Sequence, residues 1–287
     1  MTINVVADLY SKDYAGGAEL TTEAILERCP DSLKIEKHYS RSLNSDLIQS
    51  KKSEKWIFGN FAAIEDQILL EFAKSDIDYS VIEYDYKFCS FRSAILHELS
   101  SGTPCDCESK MRGKIVSAFL AKSRNIFWMS EEQKNLYHQR FPYLSKTSNH
   151  ILSSVFSDRN LSYIRELKRI TKEKNNKYII LGSSSPVKNT EGCIEYAKKN
   201  GLDYEVVSGL PYFMFLRKLA SSCGLIFLPL SEDTCPRLVI EAVLLGLDIK
   251  MNKLVQHQNE QWYDTEDSVL GYLKSRANFF WSKIDER

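Results

Sequence analysis

The chain has 287 residues, room for one large domain or two ordinary ones, and its 43% apolar and 26% charged residues are the balance of a soluble globular protein. Lysine plus arginine equals aspartate plus glutamate, 38 each, which gives no support for whole-protein attraction to nucleic acid or an anionic membrane. No run approaches the roughly 18 apolar residues that span a bilayer; the opening MTINVVADLY lacks the basic start of a secretion signal; and seven cysteines, an odd number, argue for a reducing compartment rather than a disulfide framework, so the expected location is cytoplasmic.

INVVADLY reads as a buried strand, and AGGAELTTEAILERC follows it. Gly16 and Gly17 permit a tight turn, and Leu20, Ala24 and Ile25 recur at helical spacing. Strand, glycine turn, helix is how a dinucleotide-type α/β domain opens. The pattern then repeats: strand KWIFGNF, helix IEDQILLEFAK, strand YSVIEYD, and a helix, the strand NIFWMS and a second helix across KIVSAFLAKSRNIFWMSEEQKNLYHQRF. Residues 158–177 carry seven basic side chains against three acids and read as a solvated helix or linker face. Beyond them come strand KYIILGSSS, helix NTEGCIEYAKKNG, strand YEVVSG, helix PYFMFLRKLASSC, strand GLIFLPL, a helix from about Pro236 and strand LDIKMN. The expectation is two α/β units with mostly parallel sheets, 1–157 and 158–257. A tail, 258–287, is too aromatic to be free and is expected to be helical and docked on the first unit.

In an open α/β sheet, ligands bind beyond the carboxyl ends of the strands. The candidates are therefore Gly16/Gly17, Gly59/Asn60, Asp85, Ser183–Lys188 and Glu232–Arg237. In EDTCPRLVIEA the acids sit in a loop and Pro236 suits a first helical turn. The unpaired amides of that turn and the helix dipole favour an anion, and Arg237 adds a cation. Glu241 falls about one and a half turns further on, where a carboxylate can accept hydrogen bonds from vicinal hydroxyls such as those of a ribose. Phosphate at the helix start with ribose one turn in would describe a nucleotide.

DTCPRLVIEAVLLG resembles the acid-x7-acid signature of the GT-B glycosyltransferases, especially retaining family 4 (group 1). AGGAELTTEAIL is similar to that family's N-terminal glycine loop, FWMSEEQKNLY to the element closing its first domain, and ILGSSSPVKNTEGCIEYAKK to the start of its second. The resemblance implies two Rossmann-like domains facing a cleft, with a C-terminal helix docking back. It implies a nucleotide-sugar-dependent enzyme of the hexosyltransferase type, acting with retention on a UDP- or GDP-type donor and needing no catalytic cofactor. Carried over, Asp233 (or its neighbour Glu232) contacts the donor sugar, Glu241 the ribose and Lys188 the diphosphate; Gly16, Gly17, Arg237 and Leu238 complete the donor set. Where the family has a companion arginine, Ser183, Ser184 and Ser185 stand here. Lys188, Asp233 and Asp85 are the catalytic candidates, and Asn60 and Asp85 the acceptor-side ones. The acceptor could be a glycan, a lipid-linked glycan, a protein or a modified nucleic acid. The alternative function is a non-catalytic GT-B-like binding module.

CSFRSAILHELSSGTPCDC places Cys89, His97, Cys105 and Cys107 within 19 residues. Three thiolates and an imidazole are a common structural zinc set, although the usual C-x2-C knuckle is absent. Incidental free thiols in a loop are the other reading.

Overall fold

The structure is a computed structural model and describes residues 1–286. Every strand is parallel to its neighbours, and the strands form two separate sheets in two compact units. Among the described residues, the first unit holds 1–155 together with 275–286, and the second holds Phe156–Lys274. The aromatic tail is thus divided: residues up to Lys274 belong with the second unit, and those from Ser275 onward with the first.

In the first unit, β1 (Thr2–Ala7), β2 (Lys34–Tyr39), β3 (Lys55–Phe58), β4 (Tyr79–Glu83), β5 (Asn125–Trp128) and β6 (Ser148–Ile151) form a six-stranded sheet in the order β2-β1-β3-β4-β5-β6. Its helices are α1 (Gly17–Leu26), α2 (Ser45–Ser50), α3 (Asp66–Lys74), α4 (Ala94–Ser101), α5 (Met111–Lys122) and α6 (Glu131–Arg140). β1, β3, β4 and β5 lie where the apolar runs place them. The edge strands β2 and β6 do not announce themselves, because their residues are polar and only partly covered. Such edges suit charged side chains, which discourage pairing with another chain. The core is an aromatic cluster in which Phe58 meets Phe72 at 4.8 Å and Phe119 at 5.0 Å, both edge to face. Gly16 ends the turn before α1 with φ near −85°, so left-handed freedom is not what requires it. A Cβ there would come within 2.4 Å of Glu19 Oε2 and 2.5 Å of the Tyr14 ring.

The second unit holds α7 (Asp158–Ile170), β7 (Tyr178–Leu181), α8 (Thr190–Lys199), β8 (Tyr204–Val207), α9 (Tyr212–Ala220), β9 (Gly224–Phe227), α10 (Arg237–Leu244) and β10 (Asp248–Met251), with sheet order β10-β9-β7-β8. The basic stretch after residue 157 is mostly α7, an amphipathic helix that buries Leu161, Ile164 and Leu167 and turns its charges outward. Helix α11 (Glu266–Asp285) ends against the first unit's sheet. Phe280 packs on Phe127 of β5 at 4.6 Å, and Trp281 Nε1 donates to the carbonyl of Ile25 on α1 at 2.8 Å. Among the described residues, no helix is long and apolar enough to cross a membrane.

Candidate functional site

In the second sheet the chain passes from β7 to β8 on one side and then returns to β9 on the other. Between β7 and β9 the direction of winding reverses, the place where an open α/β sheet binds its ligands. The loops leaving these two strands are 182–189, which contains the candidate stretch Ser183–Lys188, and 228–236, which contains all of Glu232–Arg237 except Arg237, the first residue of α10. They are tied together: Leu230 N donates to Val187 O at 3.0 Å, and Asn189 Nδ2 donates to Leu228 O at 2.8 Å. The same asparagine caps α8 by accepting from Gly192 N. Its left-handed backbone, φ 50°, is one that asparagine tolerates better than most residues.

This arrangement brings Lys188 and Asp233 into contact, with Nζ 2.6 Å from Oδ2. Both side chains keep some exposure, 29% for the lysine and 12% for the aspartate. Lys188 Nζ also lies 5.2 Å from the centre of the Phe227 ring. Asp233 is fixed through its backbone, donating to Leu254 O at 2.9 Å and accepting from Gln256 N at 3.1 Å. Glu232 is half-buried beside it and Leu238 half-buried on α10, while Ser184 and Ser185 are exposed.

Pro236 is the residue before α10 rather than a member of its first turn; its ψ of 114° is extended, and the helix begins at Arg237. Arg237 and Glu241 differ from the solvent-facing roles their sequence positions suggest. Both are buried and lie 3.7 Å apart. The guanidinium sits over the Phe156 ring at 3.7 Å. Glu241 Oε1 accepts from the Tyr212 hydroxyl at 2.8 Å. Burial pushes the Glu241 carboxyl above its ordinary range, and Arg237 pulls the other way. Tyr212, at the start of α9, has no signal in the sequence that would mark it.

In the first sheet the reversal lies between β1 and β3. Asp8, just past β1, accepts from Ala62 N at 2.9 Å and Ala63 N at 3.0 Å, and its own amide donates to Asn60 O at 2.7 Å. Asn60 and Asp85 meet through a residue that sequence reasoning passed over, Arg92. Its Nε donates to Asp85 Oδ2 at 2.7 Å, and its Nη2 reaches both Asp85 and, at 3.4 Å, Asn60 Oδ1. Arg92 has a φ of 55°, an uncommon backbone for a residue of that bulk.

Behind Asp85 lies a buried pair. Lys87 Nζ is 3.2 Å from Glu83 Oε1 and 3.1 Å from Asp85 Oδ1. Burial pushes the Glu83 carboxyl up to about 7 against the pull of Lys87. Burial acts on Asp85 in the same direction, but Lys87 and Arg92 together hold it below the usual carboxylate range. The signal for this group is the alternation in EYDYK, which puts Glu83, Asp85 and Lys87 two residues apart at a strand end. Gly16 and Gly17 sit at the start of α1 in this unit.

Cys89, His97, Cys105 and Cys107 also converge, with all four ligating atoms within 4.8 Å of one another. All seven cysteines are free. Cys235, next to the second-unit loop, is buried.

No protein-family model matches the sequence, and no curated protein matches it. Solved structures do. Anabaena Alr3699/HepE in complex with UDP-glucose is similar at 11% identity over 99% of this chain and 92% of that one, with a TM-score of 0.59. An alpha-glucosyltransferase in complex with UDP-glucose and DNA containing an abasic site is similar at 9% identity, covering 98% and 91%, with a TM-score of 0.53. WaaG, a glycosyltransferase involved in lipopolysaccharide biosynthesis, is similar at 10% identity, covering 100% and 96%, with a TM-score of 0.52. The likeness is one of fold: two parallel-sheet α/β units, as in GT-B glycosyltransferase structures.

Proposed function

We propose that the chain is a glycosyltransferase that moves a sugar from a nucleotide-diphosphate sugar to an acceptor, with retention. The observation that carries this reading is the Lys188–Asp233 contact past the carboxyl ends of β7 and β9, with Glu241 on α10, the helix that follows the Asp233 loop. The chemistry needs a cation where the diphosphate leaves, a carboxylate for sugar hydroxyls and a second carboxylate for the ribose. UDP and UDP-glucose in the similar structures support a UDP donor.

In the reaction, the bond from the anomeric carbon to the diphosphate oxygen breaks as the acceptor oxygen bonds to that carbon. The acceptor's proton passes to the departing phosphate. Negative charge builds on the diphosphate, and Lys188 with the amides opening α10 would stabilise it more in the transition state than in the ground state. Lys188 would turn from Asp233 towards the phosphate, freeing a carboxylate oxygen for the sugar. Glu241, steadied by Tyr212, would accept from the ribose hydroxyls, and Arg237, Glu232 and Leu238 would complete the donor surroundings in this unit.

Asn60 and Asp85, joined by Arg92, would form the acceptor side. The DNA in one similar structure and the lipopolysaccharide role of another support a large acceptor. Seven free cysteines suit a cytoplasmic, reducing setting.

The test is incubation of the purified chain with UDP-, GDP- and ADP-sugars, following nucleotide release. Slow hydrolysis of one donor is expected. Nucleotide binding without turnover of any donor, with or without added glycans, would favour a non-catalytic binding module. The serines at 183–185, in place of a second cation, give that reading its support.

A further inference from the structure

We propose that Cys89, His97, Cys105 and Cys107 bind one zinc ion, and that this ion pins the loop between β4 and α5 which carries Arg92. The proposal is independent of the catalytic reading.

Three of the six ligand-atom separations are close to the edges of a tetrahedral site, and all six lie within 4.8 Å. With zinc–sulfur near 2.3 Å and zinc–nitrogen near 2.0–2.1 Å, a tetrahedron sets sulfur–sulfur edges at about 3.8 Å and sulfur–nitrogen edges at about 3.5 Å. Here the Cys89 and Cys105 sulfurs are 3.7 Å apart, Cys89 Sγ is 3.6 Å from His97 Nδ1, and Cys107 Sγ is 3.2 Å from the same nitrogen. A disulfide would bring two sulfurs to about 2.05 Å, so this is not a bonded pair. Two thiols converging on one ring nitrogen, with the third against one of them, make a ligand set that four protein groups fill. No position is left for substrate, so the role is structural.

The surrounding fold needs such a clamp. Helix α4 has eight residues, of which only Leu96 is buried, while Leu99 is 61% exposed. A helix this short is not stable by propensity, and one buried leucine contributes little against the cost of ordering it. The four ligands come from separate pieces of chain: Cys89 just after β4, His97 on α4, and Cys105 and Cys107 ahead of α5. One ion joins them all. The chain between two of the ligands is itself held in place. Arg140 Nη1 donates to the Cys105 carbonyl at 3.3 Å while pairing with Glu108 at 2.6 Å. The His97 ring also packs against Phe91 at 5.1 Å. Between the ligands Cys89 and His97 lies Arg92, whose uncommon φ is then held from both ends.

The full-length chain, purified from zinc-supplemented growth and gel-filtered, is expected to carry about one zinc per chain by elemental analysis. Exchange for Co2+ is expected to give intense thiolate-to-cobalt charge transfer and tetrahedral visible bands. Cys107→Ser and His97→Ala should each lower zinc at least about tenfold and abolish the tetrahedral cobalt spectrum. Cys223→Ser, outside the cluster, should change neither. If Cys107→Ser does not fold, His97→Ala keeps all three thiols and still reads the site. Protein that is folded, free of zinc and silent towards cobalt overturns the proposal. So does unchanged zinc content in His97→Ala.

Discussion

Replacing Lys188 by alanine separates a catalytic cation from a structural one. The Lys188–Asp233 contact is 2.6 Å long between side chains that are 29% and 12% exposed. A partly exposed pair of this kind contributes at most about 1 kcal/mol to stability. Losing it should lower the melting temperature by a few degrees only. Removing a preorganised charge from a leaving group costs far more, of the order of 3–4 kcal/mol or a 10²–10³-fold drop in turnover. Lys188→Ala should therefore fold, bind acceptor as before and turn over about 10²–10³-fold more slowly at saturating donor. Lys188→Arg keeps the charge and should recover part of the rate. The assay is nucleotide release with donor well above KM, beside a thermal melt. Wild-type turnover at saturating donor in Lys188→Ala would refute the reasoning, and Lys188 would then be a surface partner of Asp233.

Glu241→Ala should weaken nucleotide binding by about 1.5–3 kcal/mol, read by calorimetry; because it strips buried Arg237 of a carboxylate at 3.7 Å, it should also cost roughly 3–5 kcal/mol of stability in a denaturant melt. Gly113→Ala would put a Cβ 2.0 Å from the Cys107 carbonyl oxygen, so α5 and the cysteine loop must separate; a loss of about 1–3 kcal/mol is expected, and an unchanged melt would contradict that close approach. His257 is buried against Trp262 at 5.6 Å and Tyr263 at 4.7 Å, and burial pushes it down to about 3. The unfolded chain therefore binds a proton the folded one refuses, and stability falls as pH drops from about 6.5 towards 3, by roughly 1 kcal/mol per unit. His257→Phe should flatten that slope between about pH 6 and 4, measured as denaturation free energy against pH; a slope equal to wild type would exclude His257 as its source.

Much of the architecture follows from local pattern. Runs such as NVVA, KWIF, NIFW and GLIF are too apolar to lie anywhere but the middle of a parallel sheet, and the helices between them repeat their apolar residues at helical spacing. That alternation alone implies two α/β units, and it places the candidate loops at strand ends. The polar edge strands carry no such signal, since half their surface faces water and their partner is chosen by what already lies beside them. The candidate site divides in the same way. EDTCPRLVIEA marks a strand-to-helix turn from local chemistry, but the partner of Asp233 is 45 residues away and is fixed by the order β10-β9-β7-β8. The inward turn of Arg237 onto Phe156, in the segment before α7, and the hydroxyl of Tyr212 on Glu241 depend on packing between separate elements that no single segment encodes. Spacing in the sequence brought four zinc-type ligands to notice. Only the folded loop could show that their ligating atoms converge within 4.8 Å, because that distance is set by where α4 and the turn before α5 come to rest.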